Sequence, residues 1–246
     1  MVDLKIYSEW DSGVRWFHWI NVLCVLGLMA IGIAILNDGA LGVTNDGKIL
    51  LKTVHVWIGY AFALNLLWRL AWAFIGGPHA RWRSLLPGGR GYVGETARYI
   101  SAVRSGRPVQ YLGHNPLGRL AVSTLLLLLL VMALTGLILA GTDLFYPPLG
   151  QWIAKWVAAP GIDPATLVPF APDMYDKTAY AAMRGEFRFP VGRIHYYGFY
   201  TLLALVIIHI VAVVITEVRE GGGLISAMFT GRKVLSEPPA DQPRSD

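Results

Sequence analysis

The chain has 246 residues, of which 54% are hydrophobic and 15% charged, and its formal net charge is +5 at pH 7. This composition lies outside that of soluble globular domains, and the charged residues avoid the long apolar runs. The composition therefore excludes an ordinary soluble enzyme. The single cysteine, Cys24, excludes intrachain disulfides and thiolate metal clusters.

Four apolar stretches are long enough to cross a bilayer, which takes about 20 residues. They cover residues 16–37, 53–75, 120–142 and 194–216. The sequence therefore predicts an all-α integral membrane protein: one four-helix bundle over residues 1–236 and a polar disordered tail at 237–246. No small-residue cleavage pattern follows the first apolar run, so we expect that run to be an uncleaved targeting segment.

Basic residues are unevenly distributed over the connections. Residues 76–118 contain six arginines and one acidic residue, Glu95, whereas the connections 38–52 and 143–193 balance the two signs. Because cytoplasmic loops carry an excess of Lys and Arg, we expect residues 76–118 and both termini to be cytoplasmic. The net charge follows from this bias, so no nucleic-acid partner is expected.

Both long connections contain short helix candidates, at 94–103 in the cytoplasmic connection and at 149–158 in the outer one. The outer connection, residues 143–193, is about 50 residues long, and loops of that length are usually functional. We expect this connection to form a docking surface for a partner protein. A passive lid is the alternative.

Histidine placement is the most informative feature of the apolar stretches. His195 and His209 are 14 residues apart in the fourth stretch, about 21 Å along one helix face at about 1.5 Å per residue. His18 and His55 each lie near the start of a different stretch. Because neighbouring helices run in opposite directions, His55 matches the depth of His195 on the outer side, and His18 lies near the depth of His209 on the inner side.

Ionisable side chains are costly in hydrocarbon and usually face a bundle interior or a bound group. Two neutral imidazoles, one on each side of a porphyrin, saturate haem iron and suit it to electron transfer. The pattern predicts two noncovalent haems b, held by His55 with His195 and by His18 with His209. The alternative is a membrane anchor or a transporter whose histidines relay protons or bind a metal such as zinc, but the inverted repeats and broken helices common in transporters are not visible.

Several other residues are candidates near the haem levels. Arg15, Arg69 and Arg193 are possible partners of haem propionates, with phospholipid phosphate as the alternative at the helix ends.

Helix glycines either permit close packing of neighbouring helices or leave room for a flat macrocycle. They are Gly27, Gly32, Gly59, Gly136 and Gly198.

Motifs throughout the chain resemble one family. They are VRWFHWIN at 14–21, HVWIGY at 55–60, YLGHNPLGRLA at 111–121, the histidine pair of the fourth stretch, and AMFTGRK at 227–233. Together they resemble the bacterial cytochrome b561 and nickel hydrogenase cytochrome b superfamily, and also the gamma subunit of formate dehydrogenase. The resemblance implies a four-helix cytochrome of the bacterial inner membrane with two haems b, ligated as above, that exchanges electrons between a periplasmic redox partner and the membrane quinone pool.

A quinone site, which the resemblance implies, requires hydrogen-bond donors and a proton route. His114 and Asn115, with Arg119, are the candidates for it. A turn and helix-cap role for Asn115 before Pro116 is the alternative.

The chain departs from the hydrogenase subunits in one place. Those subunits usually have an additional histidine near the first ligand of the fourth helix, where FRFPVGRIHYYG contains only His195. The partner is therefore open among a hydrogenase, another oxidoreductase and a cytochrome c. We expect an electron-transfer subunit, with quinone reductase or quinol oxidase activity and a homo-oligomeric complex as open possibilities.

Overall fold

The structure is a computed structural model that describes residues 4–106, 109–221 and 223–241. Within these ranges, four helices are long and apolar enough to cross a membrane, which confirms the predicted number of spans. They are α1 (Ser12–Leu36), α2 (Asn45–Ile75), α5 (Pro116–Leu144) and a continuous helix over Lys177–Glu220. The last consists of α7 (Lys177–Ala182), a π-helical segment (Met183–Arg188) and α8 (Phe189–Glu220).

Polar caps place the start of each span upstream of its apolar run. The Val14 amide donates to Oδ1 of Asp11 at 2.9 Å ahead of α1, and the Gly118 amide donates to Oδ1 of Asn115 at 2.7 Å ahead of α5. Thr44 and Asp176 accept from Gly47 and Ala179 in the same way. Such caps satisfy amides that the first helical turn leaves free. The helices therefore begin before the starts predicted from hydropathy, most of all the fourth, which begins at Lys177 and not at 194.

Shorter elements fill the connections. Helices α3 (Trp82–Leu85) and α4 (Tyr92–Arg104) follow α2, helix α6 (Gly150–Val157) follows α5, and helix α9 (Leu224–Thr230) follows α8. Both predicted short helices are thus present, as α4 and α6. Strand β1 (Lys5–Ser8) pairs antiparallel with β2 (Arg232–Leu235), and Lys5 lies opposite Leu235. This sheet was not predicted, because its two four-residue strands lie far apart in sequence.

The chain divides into two compact units. Unit 1 comprises Met1–Trp19, Leu66–Leu127 and Leu202–Asp246, and unit 2 comprises Ile20–Asn65 and Leu128–Thr201. Unit 1 has a buried cluster of Trp10, Val14, Ala80 and Ala227. Unit 2 has a larger buried cluster, in which α6 packs on the residues that follow it in the sequence. Its members are Ile153, Ala154, Val157, Leu167, Tyr175 and Met183.

The predicted tail, residues 237–246, is described as far as Asp241. Within that part, the amide of Ala240 donates to the carbonyl of Gln110 at 2.9 Å. Both carboxylate oxygens of Asp241 accept backbone amides, those of Leu112 and Gly113, at 2.7 Å each. The remaining residues, 242–246, lie outside the described residues.

Candidate haem-binding site

In unit 2, the ring of His55 in α2 lies close to that of His195 in α8. Their ring centroids are 6.3 Å apart and the ring planes are inclined by 74°. A metal–imidazole bond is about 2 Å long and a ring nitrogen lies roughly 1 Å from the ring centre, so two rings on opposite sides of one metal have centres about 6 Å apart. The separation of His55 and His195 therefore fits a single iron held from both sides.

A hydroxyl from the third span fixes the orientation of His195. Thr135 Oγ1 lies 2.9 Å from His195 Nδ1 and donates its own hydrogen to the carbonyl of Val131, 2.7 Å away. Because a hydroxyl has only one hydrogen, Thr135 accepts the N–H of His195 Nδ1. The other ring nitrogen, Nε2, then carries the free lone pair that a metal requires, which is the usual role of such a supporting hydrogen bond.

Two glycines leave space beside these imidazoles. A Cβ atom on Gly32 of α1 would lie 3.6 Å from Cε1 of His55, and one on Gly136 of α5 would lie 3.5 Å from Cε1 of His195. Any longer side chain at either position would lie along the edge of an imidazole ring. The two helix backbones thus leave open the space that a flat macrocycle between the rings would need.

The second predicted pair, His18 of α1 and His209 of α8, lies in unit 1. The two side chains are close enough to interact electrostatically. Nδ1 of His18 is buried and has no hydrogen-bond partner within the described residues, and the same is true of Nδ1 of His55. Each predicted histidine pair is therefore contained in one unit.

A sequence profile of the prokaryotic cytochrome b561 family matches residues 9–231. The chain belongs to this family. Membership in a b-type cytochrome family implies haem b, and the paired imidazoles described above fit that group. With four spanning helices, the cytochrome is a multi-pass protein of the bacterial inner membrane.

Curated relatives of the cytochrome have names that refer to hydrogenases. It is 26% identical to a "Probable Ni/Fe-hydrogenase B-type cytochrome subunit" of Rhizobium leguminosarum bv. viciae, over 96% of this chain and 92% of the relative. A protein of the same name from Cupriavidus necator is 25% identical over 96% and 90%. The "Probable Ni/Fe-hydrogenase 1 B-type cytochrome subunit" of Escherichia coli K12 is 29% identical over 51% and 57%. No solved structure matches the chain.

The candidate arginines have different surroundings in the cytochrome. Arg69 is buried in unit 1, donates to the carbonyl of Ala80 at 3.1 Å and lies over the ring of Phe17. Arg15, also in unit 1, donates to the carbonyl of Phe229, while its Nε is buried without a partner among the described residues. Arg193 is exposed in unit 2, where it lies against the ring of Phe189.

The three candidate quinone-site residues all lie in unit 1. His114 is half-buried, its ring centroid is 5.0 Å from that of Trp10, and desolvation, reinforced by the charge of Lys233, lowers its pKa to about 3. The N-terminal cap of α5 is formed by Asn115, as the alternative prediction had it, and the Asn115 amide donates to Tyr99 Oη at 2.6 Å.

Arg119 contributes two further hydrogen bonds to the same region. Its guanidinium donates to the carbonyls of Arg83 and Leu86 at 3.1 and 2.5 Å. Nδ1 of His114 and Nε of Arg119 are buried without partners in the described part of the chain.

Sequence reasoning missed three groups of polar residues. Thr135 could have been noticed as a hydroxyl next to Gly136 in an otherwise apolar run. In unit 2, Asp143 accepts from Lys52 at 2.6 Å and from Arg188 Nη2 at 2.9 Å. In unit 1, Lys233 belongs to the quoted AMFTGRK motif, but only the fold shows that its ammonium group is buried among backbone carbonyls.

Proposed function

We propose that the cytochrome holds two haems b, between His55 and His195 and between His18 and His209, and passes electrons between a periplasmic partner and the quinone pool. The observation that carries this proposal is the 6.3 Å separation of the His55 and His195 rings. Bound haem supplies reversible one-electron exchange, and the protein supplies ligation, spacing and a water-poor surrounding.

The chain's own residues suit electron transfer better than substrate chemistry. Two imidazoles leave iron without an open coordination position. The hydrogen bond with Thr135 occupies Nδ1 of His195 and leaves Nε2 as the nitrogen that can bind a metal. The side chain is therefore oriented before any haem binds. Gly32 and Gly136 keep side chains away from the rings. None of these groups is a nucleophile or a general acid aimed at a substrate.

The alternative, a haem-free transporter or zinc-binding anchor, has less support. Zinc sites in proteins use three or four protein ligands. Within residues 4–106, 109–221 and 223–241, no group of three or more His, Cys, Asp or Glu side chains is placed to hold a metal. Two facing imidazoles suffice where a macrocycle supplies the other ligands.

The charge pattern supports cytoplasmic termini and a periplasmic position for the connection between α5 and α7. We therefore propose that this connection receives the partner. Val168 and Phe170 are 52% and 49% exposed there and are candidates for the contact. The hydrogenase names of the relatives favour a Ni/Fe-hydrogenase as the partner over another oxidoreductase or a cytochrome c.

We propose Arg15 and Arg69 as propionate partners for the haem in unit 1 and Arg193 for the haem in unit 2. The buried, unpartnered Nε of Arg15 supports the first of these assignments. For the quinone, His114 and Arg119 remain candidates, supported by their unpartnered nitrogens. Asn115 is a weaker candidate because its amide is already occupied by the cap and by Tyr99.

Haem content and reduced-minus-oxidised spectra of the purified cytochrome test the ligands. Replacing His55 or His195 by Ala should remove one haem, and replacing His18 or His209 the other, each variant keeping about half of the absorbance. His79→Ala is the matched control, because His79 is a loop histidine paired with Glu9. Full haem content in all four variants would rule out the ligand assignment.

The quinone site is tested by the rate of haem reduction with a soluble quinol. His114→Ala should slow that rate if His114 contributes to the site. Asn115→Asp keeps a capping oxygen and removes the amide donor, so it separates a quinone contact from the cap. Unchanged rates in both variants would remove these two residues from the site.

A further inference from the structure

Helix α6 and the turn before it do not project away from the spans. After α5 ends at Leu144, Phe145 adopts a positive φ of 57° and reverses the chain. The amide of Tyr146 donates back to the carbonyl of Ala140 at 3.1 Å. A Cβ atom on Gly141 would lie only 3.0 Å from Cβ of Leu149, so the start of α6 packs directly against the last turns of α5.

A contact with α2 places this turn at membrane depth. Asp143 and Lys52 form an ion pair at 2.6 Å, which marks a charged level at this end of the spans. Tyr60, eight residues beyond Lys52 in α2, donates its hydroxyl to the carbonyl of Pro147 at 2.5 Å. Eight residues of helix rise about 12 Å, which exceeds the reach of a tyrosine side chain. The Pro147 carbonyl therefore lies further into the span than the backbone of Lys52.

Helix α6 has one face in the protein and one outside it. Ile153 and Val157 are fully buried in the loop core of unit 2. On the opposite face, Trp152 and Trp156 are 55% and 36% exposed, with ring centroids 5.5 Å apart. Lys155 lies exposed between them.

The aromatic cluster continues onto the fourth span. The ring centroid of Phe187 is 5.9 Å from that of Trp152 and 6.2 Å from that of Trp156. Ile194, further along that helix, is 52% exposed. Through Phe187, the tryptophan pair is therefore continuous with a helix that is long and apolar enough to cross a membrane and has exposed apolar side chains suited to contact with lipid.

We propose that Trp152, Lys155 and Trp156 form an interfacial anchor that inserts into the phospholipid headgroup region and holds the α5–α7 connection on the bilayer. Tryptophan rings concentrate at membrane interfaces, where their apolar bodies and polar N–H groups are both accommodated. A lysine between them extends its ammonium group toward lipid phosphate. A soluble protein partner is the competing occupant, but the depth of Pro147 and the continuity with Ile194 favour lipid.

Cysteine accessibility tests the anchor in the full-length, haem-loaded protein, reconstituted in nanodiscs of phosphatidylethanolamine and phosphatidylglycerol. In a Cys24→Ser background, Trp156→Cys is compared with Ala165→Cys, which is exposed in the same connection. A charged, membrane-impermeant maleimide should label Trp156→Cys at least about tenfold more slowly, because the interface excludes it. Equal rates in nanodiscs would overturn the proposal, and would instead indicate a water-exposed surface that is free to receive a protein.

A second measurement does not depend on the cysteine variant, in case Trp156→Cys is unstable. Lipids brominated near the headgroup should quench tryptophan fluorescence of the wild type more strongly than that of Trp152→Phe/Trp156→Phe. The chain has nine tryptophans, so the difference between the two proteins reports the anchor. Equal fractional quenching in both would contradict contact with lipid.

Discussion

Each unit contains one pair of spanning histidines, but the polar contacts found in the two units differ. In unit 2, the neighbours of His55 and His195 are a threonine and two glycines from other spans. In unit 1, loops and both terminal segments are held by charged groups. Nζ of Lys233 donates to the carbonyls of Tyr111, Leu112 and Gly113 at 3.2, 2.5 and 3.1 Å.

This difference separates histidines that look alike in sequence. His79 of unit 1 has a carboxylate on each ring nitrogen, with Glu9 at 2.8 Å and Asp241 at 3.6 Å. Spanning histidines such as His55 instead retain a buried ring nitrogen without a protein partner among the described residues. The partners of the ring nitrogens therefore separate His79 from the spanning histidines that we propose as ligands.

The largest effect, a loss of haem, is expected from filling the space beside the His195 ring in unit 2. Gly136→Leu should abolish haem binding between His55 and His195 and lower haem per protein to about half, because its side chain would occupy the edge of the His195 ring. The matched control is Gly94→Leu, since a Cβ on that helical glycine would meet no atom within 4 Å. Pyridine haemochrome assays measure the content. Equal haem in both variants would contradict the role of the glycine.

Next in size is the charged level of unit 2. Asp143→Ala leaves Lys52 and Arg188 without their shared partner and should destabilise the protein by about 3–5 kcal/mol. Asp38→Ala breaks the more exposed pair with Lys48 and should cost about 1 kcal/mol or less. Thermal unfolding in detergent measures both. Equal effects would show that burial does not distinguish the two sites.

In unit 1, the corresponding test is Lys233→Met. Three backbone carbonyls lose their donor in a buried position, so we expect a destabilisation of about 3 kcal/mol. Arg232→Met changes the neighbouring exposed cation and should leave the unfolding temperature almost unchanged. An unchanged unfolding temperature in Lys233→Met would mean that the contacts of Lys233 do not stabilise unit 1.

The smallest effect depends on pH. The hydrogen bond that His79 donates to Glu9, together with the charge of Glu9, raises the pKa of His79 above its usual value. The resulting stabilisation is complete below the pKa of unfolded histidine, near 6.5, and is lost as the pH rises through the folded pKa. Glu9→Gln should therefore cost roughly 1–2 kcal/mol near pH 5 and little near pH 9.

Glu237→Gln is the control for this pH dependence, because its side chain is exposed. Unfolding midpoints at several pH values compare the two variants. A Glu9→Gln penalty that does not change with pH would mean that the Glu9 carboxylate contributes through packing and not through protonated His79.

The sequence was sufficient for the features that depend on composition and spacing. Hydropathy predicted four spans, and four helices of spanning length are present within the described residues. It underestimated the fourth helix, because the segment from Lys177 is polar and its start depends on the Asp176 cap. It also gave no indication of the β1–β2 pairing, which joins segments more than 200 residues apart.

What the sequence by itself determined is the class of protein, because crossing a bilayer imposes length and apolarity on consecutive residues. What only the tertiary structure decided is how distant residues meet. Thr135 contacts His195, Lys233 contacts the 111–113 carbonyls, and Tyr60 contacts Pro147. Such contacts depend on the rotation and register of packed helices, and local spacing does not encode them.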